Sequence, residues 1–503
     1  MKTISASSNG TDFIDDINDN FAECMTGVGS AELSLKMYGG QFDTSNGMPV
    51  WTAGITSVVP FLNYYHSRLV KVGSNTEISS AALENGEALV IFGYDANFAF
   101  VGHSSTLSIP NGSVYIRLQI GKSSAYTAPR TLECTFESAV EVIKDAHAKE
   151  TMYKFFYESG ISADTQAPTA NLSNYYGVTG ERHYDCGFIY LPTNYDPEGD
   201  PVPLILYCHG TSGFNWGTPQ DRFDEFHKFC AYNGYAVADC CGVTDRYVLG
   251  STRDSAFDIV NHYGTGVRNE RGMCNPQLMM CINELYKYLT EVYNIKTDGV
   301  YLIGRSTGGK TAFLLPYMAD FHVKAVAGLA PAVGLVTSLS VFYADENNYV
   351  LHRFGLKSRQ VKDSLSGDGD KQYIIDNIEA FRGWDAMYVG SDIDMAGVVT
   401  AVFNQESSAS FYENAKKINH FPSKIWISAD DTAVPISGCR RYKTAVDNGN
   451  GLCIIRVLPD NAGQHFSMDD SPNAPRCNYT TKHKGVKNIT IGYAETIDWF
   501  NQW

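Results

Sequence analysis

The sequence predicts an α/β protein with a smaller all-β module in front of it: a mostly parallel sheet covered by helices on both faces, preceded by a small antiparallel β-sandwich of jelly-roll type. Three observations predict this. Beyond about residue 181, the runs "CGFIYLP", "VPLILYCHG", "YAVADCCG" and "DGVYLIG" are apolar throughout. Helical patterns such as "PQLMMCINELYKYLTEVYNI" separate them, as a parallel sheet buried on both faces requires. Between residues 30 and 135 the strand-like runs are shorter and alternate, with turn residues between them. The third observation is "VYLIGRSTGGKTAF", Val300 to Phe313, where β-formers end at Gly304, small residues follow, and a helical pattern begins.

A chain of 503 residues exceeds one ordinary core, so two or three domains are expected. Hydrophobic residues at 44% and charged residues at 19% describe a folded globular protein. The net charge of −16 disfavours a nucleic-acid surface or adhesion to anionic lipid. No segment approaches the ~18 apolar residues that span a membrane, and "MKTISASSNGTDF" lacks a secretory h-region. Synthesis in a cytoplasm is therefore expected. The 12 cysteines follow no C-x-x-C framework, which predicts buried thiols. No zinc-type spacing, H-E-x-x-H or EF-hand loop occurs, so neither metal nor cofactor is expected.

Taken in order, residues 1–29 form a first unit. Phe13, Ile17, Phe21 and Met25 recur at i, i+4 behind a cap at Thr11 or Asp12, which predicts a short acidic helix with one narrow apolar stripe. Its spelling "NGTDFIDDINDNFAE" resembles the opening of bacteriophage tail and tail-fibre proteins. That resemblance implies an anchoring or assembly helix, and an ordinary helix docked on its own protein accounts for the same pattern. Residues 30–135 form the β-module. In "SVYIRLQIG", Val114, Ile116, Leu118 and Ile120 alternate with Tyr115, Arg117 and Gln119, which predicts a half-buried strand. "HSRLVKVG", "EALVIFGYDANFAFVG" and "RTLECTFES" behave similarly. The order of these pieces resembles carbohydrate-binding-like modules of phage tails, which implies either glycan binding or a spacer. Residues 136–158 read as a helix and 159–180 as a polar connection, so the α/β domain is placed at 181–503.

The run around Ser306 admits two chemistries. Gly304, Gly309, Lys310 and Thr311 satisfy G-x-x-x-x-G-K-[ST], a loop whose amides would cradle phosphates. Gly304, Ser306 and Gly308 satisfy G-x-S-x-G, the strained turn that exposes a serine nucleophile in α/β-hydrolases. Context favours the second. "HGTSG", His209 to Gly213, follows a strand and is similar to the H-G-x-x-G loop of esterases and lipases of that family. "KIWISADDTAVP" places Asp431 in a D-x-x-V-P spelling that resembles the family's acid-bearing loop, with Asp430 a second candidate. "AGQHFS" places His465 after the short strand "CIIRVLP". The order Ser306, Asp431, His465 is that of the family.

Residues from about 180 onward thus resemble an α/β-hydrolase, nearest its polysaccharide, feruloyl and acetyl esterase branches. The resemblance implies a Ser-His-Asp carboxylic ester hydrolase without cofactor or metal. Thr307 and Thr211 would supply the oxyanion-hole amides, and His209, Gly210, Gly304 and Gly308 would support the loops. A serine peptidase on the same scaffold is the alternative, as is a virion adhesin that has lost catalysis. The interval between Ser306 and Asp431 is longer than the two βα units expected there, so residues 335–420 are read as an inserted cap that sets substrate choice. With the two phage-type resemblances, the expectation is an esterase of a virion tail acting on a bacterial surface glycan, assembled as a homotrimer with other tail proteins. A cytoplasmic esterase is the competitor.

Overall fold

The computed structural model describes residues 30–49, 63–73, 75–124, 126, 130–147, 152–158, 184–209, 224–240, 276–305, 307–331, 333, 421–429, 436–458, 476–479 and 489–503. The expected N-terminal helix, the 159–180 connection and the 335–420 cap lie outside them.

The first body is all antiparallel. Its strands are β1 (Ala31–Gly39), β2 (Tyr64–His66), β3 (Val70–Lys71), β4 (Ile78–Ala81), β5 (Ala88–Tyr94), β6 (Phe100–Ser104), β7 (Tyr115–Gly121), β8 (Arg130–Phe136) and β9 (Glu141–Val142). They run in the order β4-β8-β1-β2-β7-β3-β9, with β5 between β7 and β6. Leu35, Leu132 and Phe136 from one arm meet Ile91, Ile116, Leu118 and Ile120 from the other in one apolar core.

The second body is an eight-stranded sheet of order β10-β11-β13-β12-β14-β15-β16-β17. Its strands are β10 (Tyr153–Glu158), β11 (Tyr184–Tyr190), β12 (Val202–Cys208), β13 (Ala236–Cys240), β14 (Ile295–Arg305), β15 (Val323–Leu329), β16 (Ser423–Ser428) and β17 (Cys453–Leu458). β11 is antiparallel to both β10 and β13, and every other pairing is parallel. The described helices are α1 (Asp224–Tyr232), α2 (Pro276–Val292), α3 (Thr307–Met318), α4 (Ile436–Asn448) and α5 (Tyr493–Phe500). A separate antiparallel pair, β18 (Arg476–Tyr479) and β19 (Ile489–Gly492), precedes α5. The central strands are buried along nearly their whole length, as their unbroken hydrophobicity requires. Cys134, Cys208, Cys230, Cys240, Cys281, Cys439 and Cys453 are also buried.

The structure corrects two expectations. The described residues of 136–158 form no helix: the end of β8, β9 and β10 lie among them, and β10 is already an edge strand of the large sheet. Tyr153, Phe155 and Tyr157 are buried there, and the Tyr157 hydroxyl donates to the Cys281 carbonyl at 2.9 Å, so packing on α2 overrides the local helical pattern. Nor is β7 half-buried, because it is covered on both faces. Its polar face is closed from both bodies: the Tyr115 hydroxyl donates to Glu198 Oε2 at 3.1 Å, and Arg117 donates to both carboxylate oxygens of Asp145 at 2.7 and 3.0 Å and to the Ser67 carbonyl at 2.8 Å. Gln119 accepts from the Phe42 amide at 2.6 Å.

This joint is extensive and polar. The last turn of α2 would leave carbonyls without intrahelical donors. Lys144 Nζ donates to the carbonyls of Thr290 and Glu291 at 2.8 and 2.9 Å, Arg68 donates to that of Glu291, and the Asp145 amide donates to that of Val292 at 2.7 Å. The Tyr195 hydroxyl donates to the Asp145 carbonyl at 2.7 Å and accepts from the Asn294 amide at 2.9 Å. A buried charge stripped of its partner costs about 3–5 kcal/mol, so the Arg117–Asp145 pair ties the β-module to the large sheet. The apolar core is likewise continuous, running from Phe42, Phe92 and Tyr94 into Tyr153, Tyr190 and Tyr293.

Candidate active site

One position separates β14 from α3: the strand ends at Arg305, the helix begins at Thr307, and Ser306 is the residue between. So short a turn demands close approach of strand and helix, and the flanking glycines supply it. A Cβ on Gly304 would lie 2.5 Å from the Ala312 Cβ and 2.7 Å from the Gly309 Cα. On Gly308 it would lie 2.0 Å from the Cys208 carbonyl oxygen and 2.2 Å from that of His209. No side chain fits at either position. The first turn of α3 therefore rests directly on the backbone where β12 ends.

This geometry bears on the phosphate-loop reading of the motif. A phosphate-cradling loop needs an open run of amides between strand and helix. Here Gly308, Gly309 and Lys310 are already helical. Lys310→Ala should accordingly leave hydrolysis largely intact, and the wild-type chain should bind no nucleotide. Isothermal titration with magnesium ATP checks this, and micromolar binding would overturn it.

His209 follows β12 directly and is fully buried. Its Nδ1–H donates to Asp239 Oδ2 at 2.7 Å, and Asp239 Oδ1 accepts from the Cys240 amide at 2.8 Å. Asp239 sits on β13, the parallel neighbour of β12, and is itself buried. Sequence reasoning passed over Asp239, although a lone carboxylate in the apolar run "YAVADCCG" is the signal that could have found it. His227 on α1 is buried nearby among Phe188, Tyr190 and Tyr207. Burial holds its pKa down to about 3, against the upward pull of Asp239.

Of the residues singled out from sequence, His209, Gly304, Thr307 and Gly308 are placed: the first just beyond β12, the second near the end of β14, the others at the start of α3. Ser306, Gly210, Thr211, Asp430, Asp431 and His465 lie outside the described residues. The strands that lead to them are described. β12, β14, β16 and β17 are parallel members of one sheet, so the chain leaves all four at the same edge. Ser306 follows β14, Asp430 and Asp431 follow β16, and His465 follows β17. Among the described residues, no group of His, Cys, Asp or Glu could hold a metal ion.

The site thus stands at one edge of an open, mostly parallel eight-stranded sheet in which β11 alone runs antiparallel to its neighbours. No family model matches the chain, and no curated protein matches it in sequence. Among solved structures it is similar to the Pyrococcus horikoshii acylaminoacyl peptidase, at 9% identity and a TM-score of 0.36, over 77% of this chain and 46% of that one. The chain thus spans under half the length of that peptidase. It is also similar to Est1E from Butyrivibrio proteoclasticus (16% identity, TM-score 0.29, 55% of this chain and 85% of that one). A third is the thermophilic esterase Est2 of the Planctomycetes species Thermogutta terrifontis, with propionate bound (13% identity, TM-score 0.32, 63% and 88%).

Proposed function

We propose that the chain is a serine hydrolase of carboxylic esters, with Ser306 as nucleophile, His465 as general base and Asp431 as the carboxylate that orients the imidazole. The observation that carries this reading is the one-residue turn between β14 and α3, closed by Gly304 and Gly308 against the end of β12. A strand-to-helix turn that sharp has a physical use where a side chain at its apex must stand exposed. In the reaction His465 takes the Ser306 proton as the hydroxyl attacks the ester carbonyl. The amides of Thr307 and Thr211 hold the oxyanion, and its collapse breaks the ester C–O bond and expels the alcohol with the proton from His465. A water that gives its proton to His465 then hydrolyses the acyl-serine, returning the proton to Ser306. Esters need less leaving-group assistance than amides, which makes an esterase the first reading and a peptidase the second. Hydrolysis of short-chain p-nitrophenyl esters by the purified chain, blocked by a serine-directed phosphonate, tests it. Turnover of acyl-peptide anilides in preference to esters would favour the peptidase.

The finer reading is a carbohydrate esterase, deacetylating or feruloyl-type, of a phage tail. In it the antiparallel module is a jelly-roll-like sandwich that binds or spaces, residues 335–420 cap the site, and the substrate is a bacterial surface glycan. Its support is the opening spelling "NGTDFIDDINDNFAE", the module order and the firm seating of that module on the large sheet. The stripe of Phe13, Ile17 and Phe21 is too narrow for a lone short helix and would be covered by self-association, most simply as a trimer. Light scattering on the full chain and on a deletion of residues 1–25 should show a trimer lost on deletion. A monomeric full-length chain would refute the assembly and leave the esterase untouched.

A further inference from the structure

His209 is anchored in two directions at once. Sideways, its ring is bonded at 2.7 Å to Asp239 on β13, whose second oxygen is itself occupied by the Cys240 amide. Along the chain, its carbonyl and that of Cys208 form the floor against which Gly308 is pressed, too close to admit a Cβ. The same residue thus joins a buried carboxylate on one strand to the helix that begins just after Ser306. Buried in full, the ring is in no position to meet a substrate. Its effect is exerted through its own backbone.

We propose that His209 and Asp239 are positioning residues for the ester hydrolysis argued above. Asp239 holds the His209 ring, the ring holds the backbone at 208–209, and that backbone fixes where the loop "HGTSG" starts relative to the Ser306 turn. The two amides assigned to the oxyanion, from Thr307 and Thr211, come from the two segments brought together here. Oxyanion donors act only if they are held where charge develops, and a displacement of a fraction of an ångström is felt in the rate. A carboxylate bonded to an imidazole N–H supplies a strong and directional anchor.

The inference rests on the serine-hydrolase reading, and the experiment separates the two. Full-length wild type, Asp239→Asn and Asp239→Ala are assayed on p-nitrophenyl acetate, with kcat expressed per active site titrated by a fluorophosphonate. Asparagine keeps the shape and one acceptor oxygen but loses the charge, so kcat per site should fall about tenfold, and about a hundredfold with alanine. KM should stay within about threefold in both, because the anchor serves the transition state more than the bound ester. A purely structural role would lower the titratable fraction or the melting temperature and leave kcat per site unchanged. Either variant turning over at the wild-type rate per site, or a loss confined to KM, would overturn the positioning role while the esterase stands. Should Asp239→Ala not fold, the isosteric Asp239→Asn decides alone. A wild type that neither hydrolyses the ester nor takes up the phosphonate would overturn both readings.

Discussion

With Ser306 as the proposed nucleophile, Ser306→Ala should abolish ester hydrolysis, with a loss on the order of 10⁶ in kcat, because the attacking oxygen is removed. The fold should be kept. The substitution removes one hydroxyl between β14 and α3 and leaves in place Gly304 and Gly308, where strand and helix make their close approach. An unchanged melting temperature beside lost activity is therefore the expected pair of results. His465→Ala should be comparably damaging, since the hydroxyl then lacks a base. Asp431→Asn should cost about 10⁴, and Asp430→Asn much less. A reversal of the two would move the acid one position nearer the end of β16. More than a few per cent of activity retained by Ser306→Ala would sink the nucleophile assignment altogether.

The second large effect is on stability, and it is set by acid. His66, His147 and His227 are all buried, and burial, joined for the first two by the Arg117 charge, lowers each pKa from about 6.5 to about 3. His66 lies against Phe42, Tyr38 and Arg117; His147 stacks on Tyr153 beside Tyr293; His227 sits among Phe188, Tyr190 and Tyr207. The folded state keeps these rings neutral while the unfolded chain protonates them. Their contribution is thus complete above about pH 6.5 and is lost as pH falls toward 3. Each ring that protonates only on unfolding costs about 1.4 kcal/mol per pH unit, so by pH 5 the three together approach ~6 kcal/mol, a large part of a typical folding free energy. Carboxylates held below their usual range, such as Glu87 and Glu291, add to the loss only at lower pH. Thermal midpoints should fall steeply between pH 7 and pH 5, and His227→Phe should flatten the slope by about a third. A midpoint that does not move over that interval would refute the account.

Much of the large sheet could be read from local pattern. Unbroken apolar runs at "VPLILYC" and "DGVYLIG" announced strands buried on both faces, and they form β12 and β14. Gly304 and Gly308 announced a turn too tight for side chains, and the distances at both positions bear out that requirement. Such features are short-range consequences of period and chain sterics, and a sequence carries them without help from the rest of the fold. Three others were decided elsewhere. Residues 153–158 became a strand because the β11 edge offered pairing and α2 offered cover. Tyr115, Arg117 and Gln119 carried the pattern of a solvent-facing side and were buried all the same, because Glu198, Asp145 and Phe42 arrive from elsewhere in the chain to satisfy them. Asp239 became the partner of His209 only because β13 lies beside β12. Periodicity tells which side chains share a face, whereas the groups that meet that face are set by strand order and by the docking of one body on another, which no local window contains.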